Sequence, residues 1–158
     1  MQQAEVDFGD KVDRAAFEQI LDMDEEDDRD FSRSIVFGFL EQAETTFVKM
    51  ETALLAAPVL LLTFRTLISF YNSEEENLAE LATLGHFLKG SSATLGFNFV
   101  KDECEKIQHY GHQKDETGEF DEPDKDKCLQ LSKESIAKAK AAYREIEDLM
   151  KRYYGEAD

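Results

Sequence analysis

The sequence predicts an all-α protein: an antiparallel four-helix bundle with a short additional helix at its N-terminus. Three observations point there. Apolar residues recur at steps of three and four along most of the chain, the period of a helix with one buried face. Helix breakers are scarce, with 2 prolines and 8 glycines in 158 residues, while Leu, Ala, Glu and Lys abound. The last segment carries Ser132, Ile136, Ala139, Tyr143, Ile146, Met150 and Tyr153 at steps of 4, 3, 4, 3, 4 and 3, the seam of a bundle.

The length suits one domain over residues 1–158. A formal net charge of −17 at pH 7 argues against nucleic acid and anionic membranes as partners. No apolar run reaches the ~20 residues that span a bilayer. Two cysteines, Cys104 and Cys128, without a signal peptide fit a reducing compartment and no disulfide framework. A soluble intracellular protein is expected.

In order, Met1 to Asp10 is polar and expected to fray. Lys11 to about Met23 reads as a short amphipathic helix, with Val12, Ala16, Ile20 and Met23 on one edge and Phe17 and Leu21 on a second. It either buries both edges or packs with one and offers the other to a partner. Asp22 to Asp30 is acidic and imitates a calcium loop, but position 6 would be Asp27 rather than Gly and position 12 Arg33 rather than Glu. A solvated loop is expected, its charges near the positive end of the next helix. That helix starts at Phe31 behind a cap at Asp30 or Ser32. It carries Ile35, Val36, Phe39, Leu40, Ala43, Phe47, Met50 and Leu54 at helical period.

Residues 58–73 form an atypical apolar insertion: Pro58 to Tyr71 has no polar face, and Pro58 disfavours a helix continuing through Ala57. Three readings stand: an extra buried helix, an apolar surface for a partner, or a gene-model artefact. Ser73-Glu74-Glu75-Glu76 has the form of a capping box and is expected to open the next helix, from about Asn77 to Gly96. Asn98 would cap a fourth helix, Phe99 to about Gln113, with Val100, Cys104, Ile107 and Tyr110 or Gly111 inward; the short link makes these two antiparallel neighbours. Residues 114–127, with Gly118 and Pro123, read as a polar loop before the last helix.

The third helix holds the chemistry. At roughly 100° per residue, Leu78, Leu81, Leu84, Leu88 and Leu95 fall in one sector, and His86 lies about 170° from its middle, facing solvent. Lys89 stands one turn on, and Gly90 sits beside the histidine at i+4. Ala82, at i−4, is also small. A mid-helix glycine costs about 1 kcal/mol relative to Ala, yet Gly85 and Gly90 flank this residue, so something other than helix stability selects them. The helix would offer a nucleophile, a cation and bare backbone for something bulky to approach.

The run His86-Phe87-Leu88-Lys89-Gly90-Ser91 resembles the histidine-containing phosphotransfer (HPt) motif His-x-x-Lys-Gly-[Ser/Ala]. Leu84 to Gln108 as a whole, the acidic run, and Phe31 to Phe47 are similar to the single-domain HPt proteins of fungal multistep phosphorelays. Pro58 to about Ser73 and the region after Gln113 lie outside the resemblance. It implies a four-helix bundle and a monomeric phosphoryl carrier rather than a kinase, with cytoplasmic and nuclear residence. His86 would take a phosphoryl group from the receiver-domain aspartate of a hybrid sensor histidine kinase and pass it to response-regulator receiver domains. Lys89 would supply charge and Gly90 room, with Ser91 and Gln108 supporting the imidazole or the phosphoryl group. By helical position Ser91 points away from His86. The docking face would be Ala16, Ile20, Met23 and Ile35. The chain would need no cofactor of its own, magnesium coming with the receiver.

The chemistry fits the residues. A solvated imidazole has a reference pKa near 6.5, so at neutral pH one ring nitrogen carries a lone pair. Phosphoryl transfer asks mainly for positioning and charge stabilisation. Two competing readings remain, a non-catalytic helical scaffold and a metal site begun by His109 and His112 with Asp115 beyond.

Overall fold

The computed structural model describes residues 6–55 and 64–156, and their backbone is built on five helices. Helix α1 is Arg14–Leu21, α2 Asp30–Leu55, α3 Phe64–Leu95, α4 Asn98–Gly111 and α5 Lys125–Tyr153. Helices α2 to α5 form the antiparallel bundle, with α1 laid against α3; the described residues contain no strand, only two isolated bridges.

The core follows the periodicity. Val36, Phe39, Leu40, Ala43, Phe47 and Met50 of α2 meet Leu81, Leu88 and Leu95 of α3, with Leu78 in a small neighbouring cluster. Val100, Cys104 and Ile107 come from α4, and Ile136, Ala139, Tyr143, Ile146 and Met150 from α5. The Tyr143 hydroxyl donates to the Leu40 carbonyl at 3.0 Å, which ties α5 to α2 inside the core.

Several boundaries differ from expectation. The histidine helix starts at Phe64, so Ser73 to Glu76 lie inside it rather than opening it. No Gly or Pro occurs between Phe64 and Leu84, so nothing stops the helix from propagating through the box-like pattern. Of the apolar insertion, residues 56–63 lie outside the described residues, while 64–73 belong to α3. Asn98 is the first residue of α4, and Phe97, fully buried, holds the cap position without a side-chain bond. The loop expected through Lys127 ends at Asp124, whose carboxylate accepts from the Lys127 N–H at 3.1 Å.

Tertiary burial overrides the reading of the N-terminus. Residues 1–5 lie outside the described residues, but Phe8 is buried and stacks edge-on against Phe17, with Tyr153 also in contact. Helix α1 is shorter than expected, capped by Asp13, and Val12, Phe17 and Ile20 are all buried. Both its edges are therefore used in packing. The acidic loop does more than sit in solvent: Asp24 accepts from the Ser32 N–H and Asp28 from the Asp30 N–H, each at 2.7 Å. Two carboxylates thus serve the otherwise unpaired donors at the start of α2.

The α3–α4 pair is the most extensive contact in the bundle. Gly96, with φ +78°, turns the chain between them, and Phe97 N–H donates back to the Ser92 carbonyl at 2.9 Å. A glycine is needed because other residues strain at that φ. Two more glycines let the backbones close. A Cβ on Gly85 would lie 2.8 Å from the Cys104 carbonyl oxygen and 2.9 Å from the Gln108 nitrogen. One on Gly111 would lie 2.5 Å from the Ala82 nitrogen and from the Leu78 carbonyl oxygen. Gly85 and Ala82 are both buried against α4, so Ala82 does not widen the open patch beside Gly90 as expected.

Gly85→Ala should therefore destabilise the fold by about 1–3 kcal/mol despite its better helix propensity, because backbone cannot yield as a flexible side chain does. Urea denaturation checks it; a variant as stable as the parent would mean that α4 can stand farther off without cost.

Candidate functional site

Helix α3 carries the His86 imidazole on its solvent face, as the angular argument required. The close approach of α4 brings a partner to it. Gln108 Nε2 lies 3.2 Å from His86 Nδ1, while Gln108 Oε1 is buried with no partner. The amide has one donor end and one acceptor end, and a neutral ring likewise. As placed, the amide Nε2 faces Nδ1; with the amide turned by 180°, Oε1 would face Nδ1, accept its proton, and leave the ring's own Nε2 with the lone pair. In the other pairing Nε2 would carry the proton and could not act as a nucleophile.

One turn along, Lys89 Nζ stands 3.7 Å from Glu105 Oε1 of α4, the two side chains 27% and 47% exposed. Gly90 is exposed, and a Cβ there would meet nothing within 4 Å. Ser91 does not join them. Its hydroxyl donates to the carbonyls of Phe87 and Leu88 on its own helix, at 3.3 and 3.2 Å.

The docking residues divide. Met23 and Ile35 are exposed, at 61% and 39%, whereas Ala16 is half-buried beside the Gly96 turn and Ile20, at 9%, is in the core. The resemblance that named these four could not separate them, since it carries no account of what packs on α1 in this chain. Phe87, 49% exposed and next to His86, was missed. Glu105 was missed too, although a signal existed. His86 and Gln108 each stand eleven residues from Phe97, and Lys89 and Glu105 each stand eight, so folding about one tight turn pairs them.

His109, Asp115 and Cys104 have structural roles. His109 donates from Nδ1 to the Glu116 carbonyl at 2.8 Å, and its ring lies under Gly118. Asp115 builds the same loop. It accepts from the Thr117 hydroxyl and from backbone N–H groups, which hold its carboxyl below the usual range. No cluster of three His, Cys, Asp or Glu able to hold a metal occurs among the described residues. Burial pushes the Cys104 thiol up to about 12, so it is a packing group and not a reactive thiolate.

Residues 35–152 match the family model described as Hpt domain. The chain belongs to the Hpt family. Among curated relatives, this Hpt chain is 34% identical over 143 residues to "Multistep phosphorelay regulator 1" of Schizosaccharomyces pombe, covering 90% of this chain and 42% of that protein. It is 40% identical over 95 residues to "Phosphorelay intermediate protein YPD1" of Saccharomyces cerevisiae, covering 60% and 46%. The chain thus spans less than half the length of these relatives. The Hpt fold itself is matched by Saccharomyces cerevisiae Ypd1 as crystallised with the receiver domain of its downstream response regulator Ssk1. That match has a TM-score of 0.65 at 26% identity and covers 95% of this chain and 97% of that one.

Since a Cβ at Gly90 meets nothing, Gly90→Ala should raise stability by about 0.5–1 kcal/mol. Thermal or urea unfolding measures it; a loss of stability would mean that Gly90 has a packing role of its own.

Proposed function

We propose that this chain is a histidine phosphotransfer intermediate. His86 accepts a phosphoryl group from the receiver-domain aspartate of a hybrid sensor kinase and delivers it to the receiver domain of a response regulator. The observation that carries the reading is the solvent-facing ring of His86, joined to Gln108 through Nδ1 and standing beside the open backbone of Gly90. Membership of the Hpt family and the receiver complex of Ypd1 support it.

In the transfer, the Nε2 lone pair forms the N–P bond as the P–O bond to the aspartate breaks, its electron pair leaving with the carboxylate oxygen. The Nδ1 proton stays on the ring, shared with Gln108, whose carbonyl oxygen stabilises the charge that develops. The reverse displacement returns the group to another aspartate. Lys89, one turn away, supplies positive charge to the phosphoryl oxygens. Gly90 leaves room for the incoming domain, and Met23, Ile35 and Phe87 offer it apolar surface. Ser91, bonded to its own helix, supports the turn that carries Lys89 rather than the ring.

Magnesium is held by the receiver that bears the aspartate, and this chain acts as a monomeric carrier in cytoplasm and nucleus. Among the described residues no helix is long and apolar enough to cross a membrane. The net charge of −17 favours encounter with basic loops on a partner, an advantage that salt screens.

Incubation with a phosphorylated receiver domain should place acid-labile label on the parent chain. His86→Gln should abolish it with the helical circular dichroism unchanged, while His109→Gln and His112→Gln keep it; label that survives His86→Gln and is lost in either other variant would move the site. Lys89→Ala should slow transfer by about 10- to 1000-fold, or about 1.4–4 kcal/mol in the barrier. Rapid-quench kinetics read this directly, and an unchanged rate would make Lys89 a bystander.

A further inference from the structure

The cation beside His86 is already engaged. Lys89 Nζ lies 3.7 Å from Glu105 Oε1, and the pair spans the two helices that also form the His86–Gln108 contact. His86 and Lys89 are three residues apart on α3, as are Glu105 and Gln108 on α4. The four side chains therefore make two adjacent rungs across an antiparallel pair, one holding the ring and one holding the ammonium. The nearby lysines of α4 have partners on their own helix, Lys101 with Asp102 at 3.4 Å and Lys106 with Glu103 at 3.1 Å.

A phosphoryl group on His86 adds a strong anion one helical turn from Lys89. Two anions then face one ammonium, and whatever attraction Glu105 retains is withheld from the phosphoryl oxygens. We propose that Glu105 is a positioning residue that competes with the phosphoryl group for Lys89, keeping the phosphohistidine short-lived and easily passed on. The idea rests on the phosphotransfer reading of His86. Glu105 touches neither the ring nor the reacting atoms; it acts through the ammonium. A carrier gains from this arrangement, because a phosphohistidine bound too favourably by its own protein would not release the group to the next aspartate.

The test uses the full chain and a receiver domain phosphorylated on its aspartate. Two quantities are measured: the equilibrium division of label between the proteins, and the half-life of the isolated phosphorylated chain. Glu105→Gln, nearly isosteric and at a half-exposed position, should move the division about 2- to 5-fold toward this chain and lengthen the half-life by a similar factor, the scale of an exposed ion pair. In a Lys89→Ala background the same change should alter either quantity by less than about 1.5-fold, since the contested cation is gone. A merely structural role would not depend on Lys89 in this way. A labelled parent with an unchanged Glu105→Gln variant overturns the proposal alone. So does an undiminished effect in the Lys89→Ala background, which would assign it to direct repulsion between carboxylate and phosphoryl group. A parent that takes no label on His86 overturns the phosphotransfer reading, and this proposal with it.

Discussion

The close approach of α3 and α4 is the constraint on which the site depends. Gly85 and Gly111 remove the two side chains that would keep the helices apart, and the backbones meet where any Cβ would collide with peptide groups. That distance lets a side chain as short as glutamine reach from α4 to a ring on the outer face of α3. It also brings Glu105 to Lys89. The Gly96 turn then sets the register, since it decides which residue of α4 stands opposite each residue of α3. Three glycines thus act on the chemistry without touching it.

Much of this was legible, and the parts that were not share a cause. The seam of α5 and the leucine stripe of α3 follow from periodicity, and with the stripe inward the exposure of His86 is a matter of angle. The Gly96 turn was legible because only glycine takes that backbone shape cheaply. What failed was information carried by distant contacts. Phe8 and Ile20 look like residues of a frayed end and a docking edge until Tyr153 of α5 is brought against the first and the common core closes over the second. Ala82 read as part of the open patch because nothing local reveals a helix lying on it. The box-like run from Ser73 failed for another reason: a capping pattern matters only where a helix has cause to begin, and none exists there.

The two glycines flanking His86 show how one residue type answers opposite demands five positions apart. Gly85 is inside, where its missing side chain admits α4; Gly90 is outside, where nothing in this chain needs the space. The first builds the site and the second leaves it open. Glycine at an exposed helix position with no packing demand is a stability cost carried for something beyond the fold, and in the proposed transfer that is the approach of a receiver domain. Three other ionisable groups on or beside α4 are committed elsewhere, His109 and Asp115 to the following loop and Cys104 to the core.

The central claim is that α4, held close by glycines, uses Gln108 to keep the His86 proton on Nδ1 and so leaves Nε2 for the phosphoryl group. Long-range ¹⁵N–¹H correlation spectra of the unphosphorylated chain, at a pH where the ring is neutral, read the protonated nitrogen directly. The account predicts Nδ1 protonated and Nε2 with the lone pair, and loss of that preference in Gln108→Ala. A ring protonated on Nε2 in the parent chain would contradict it.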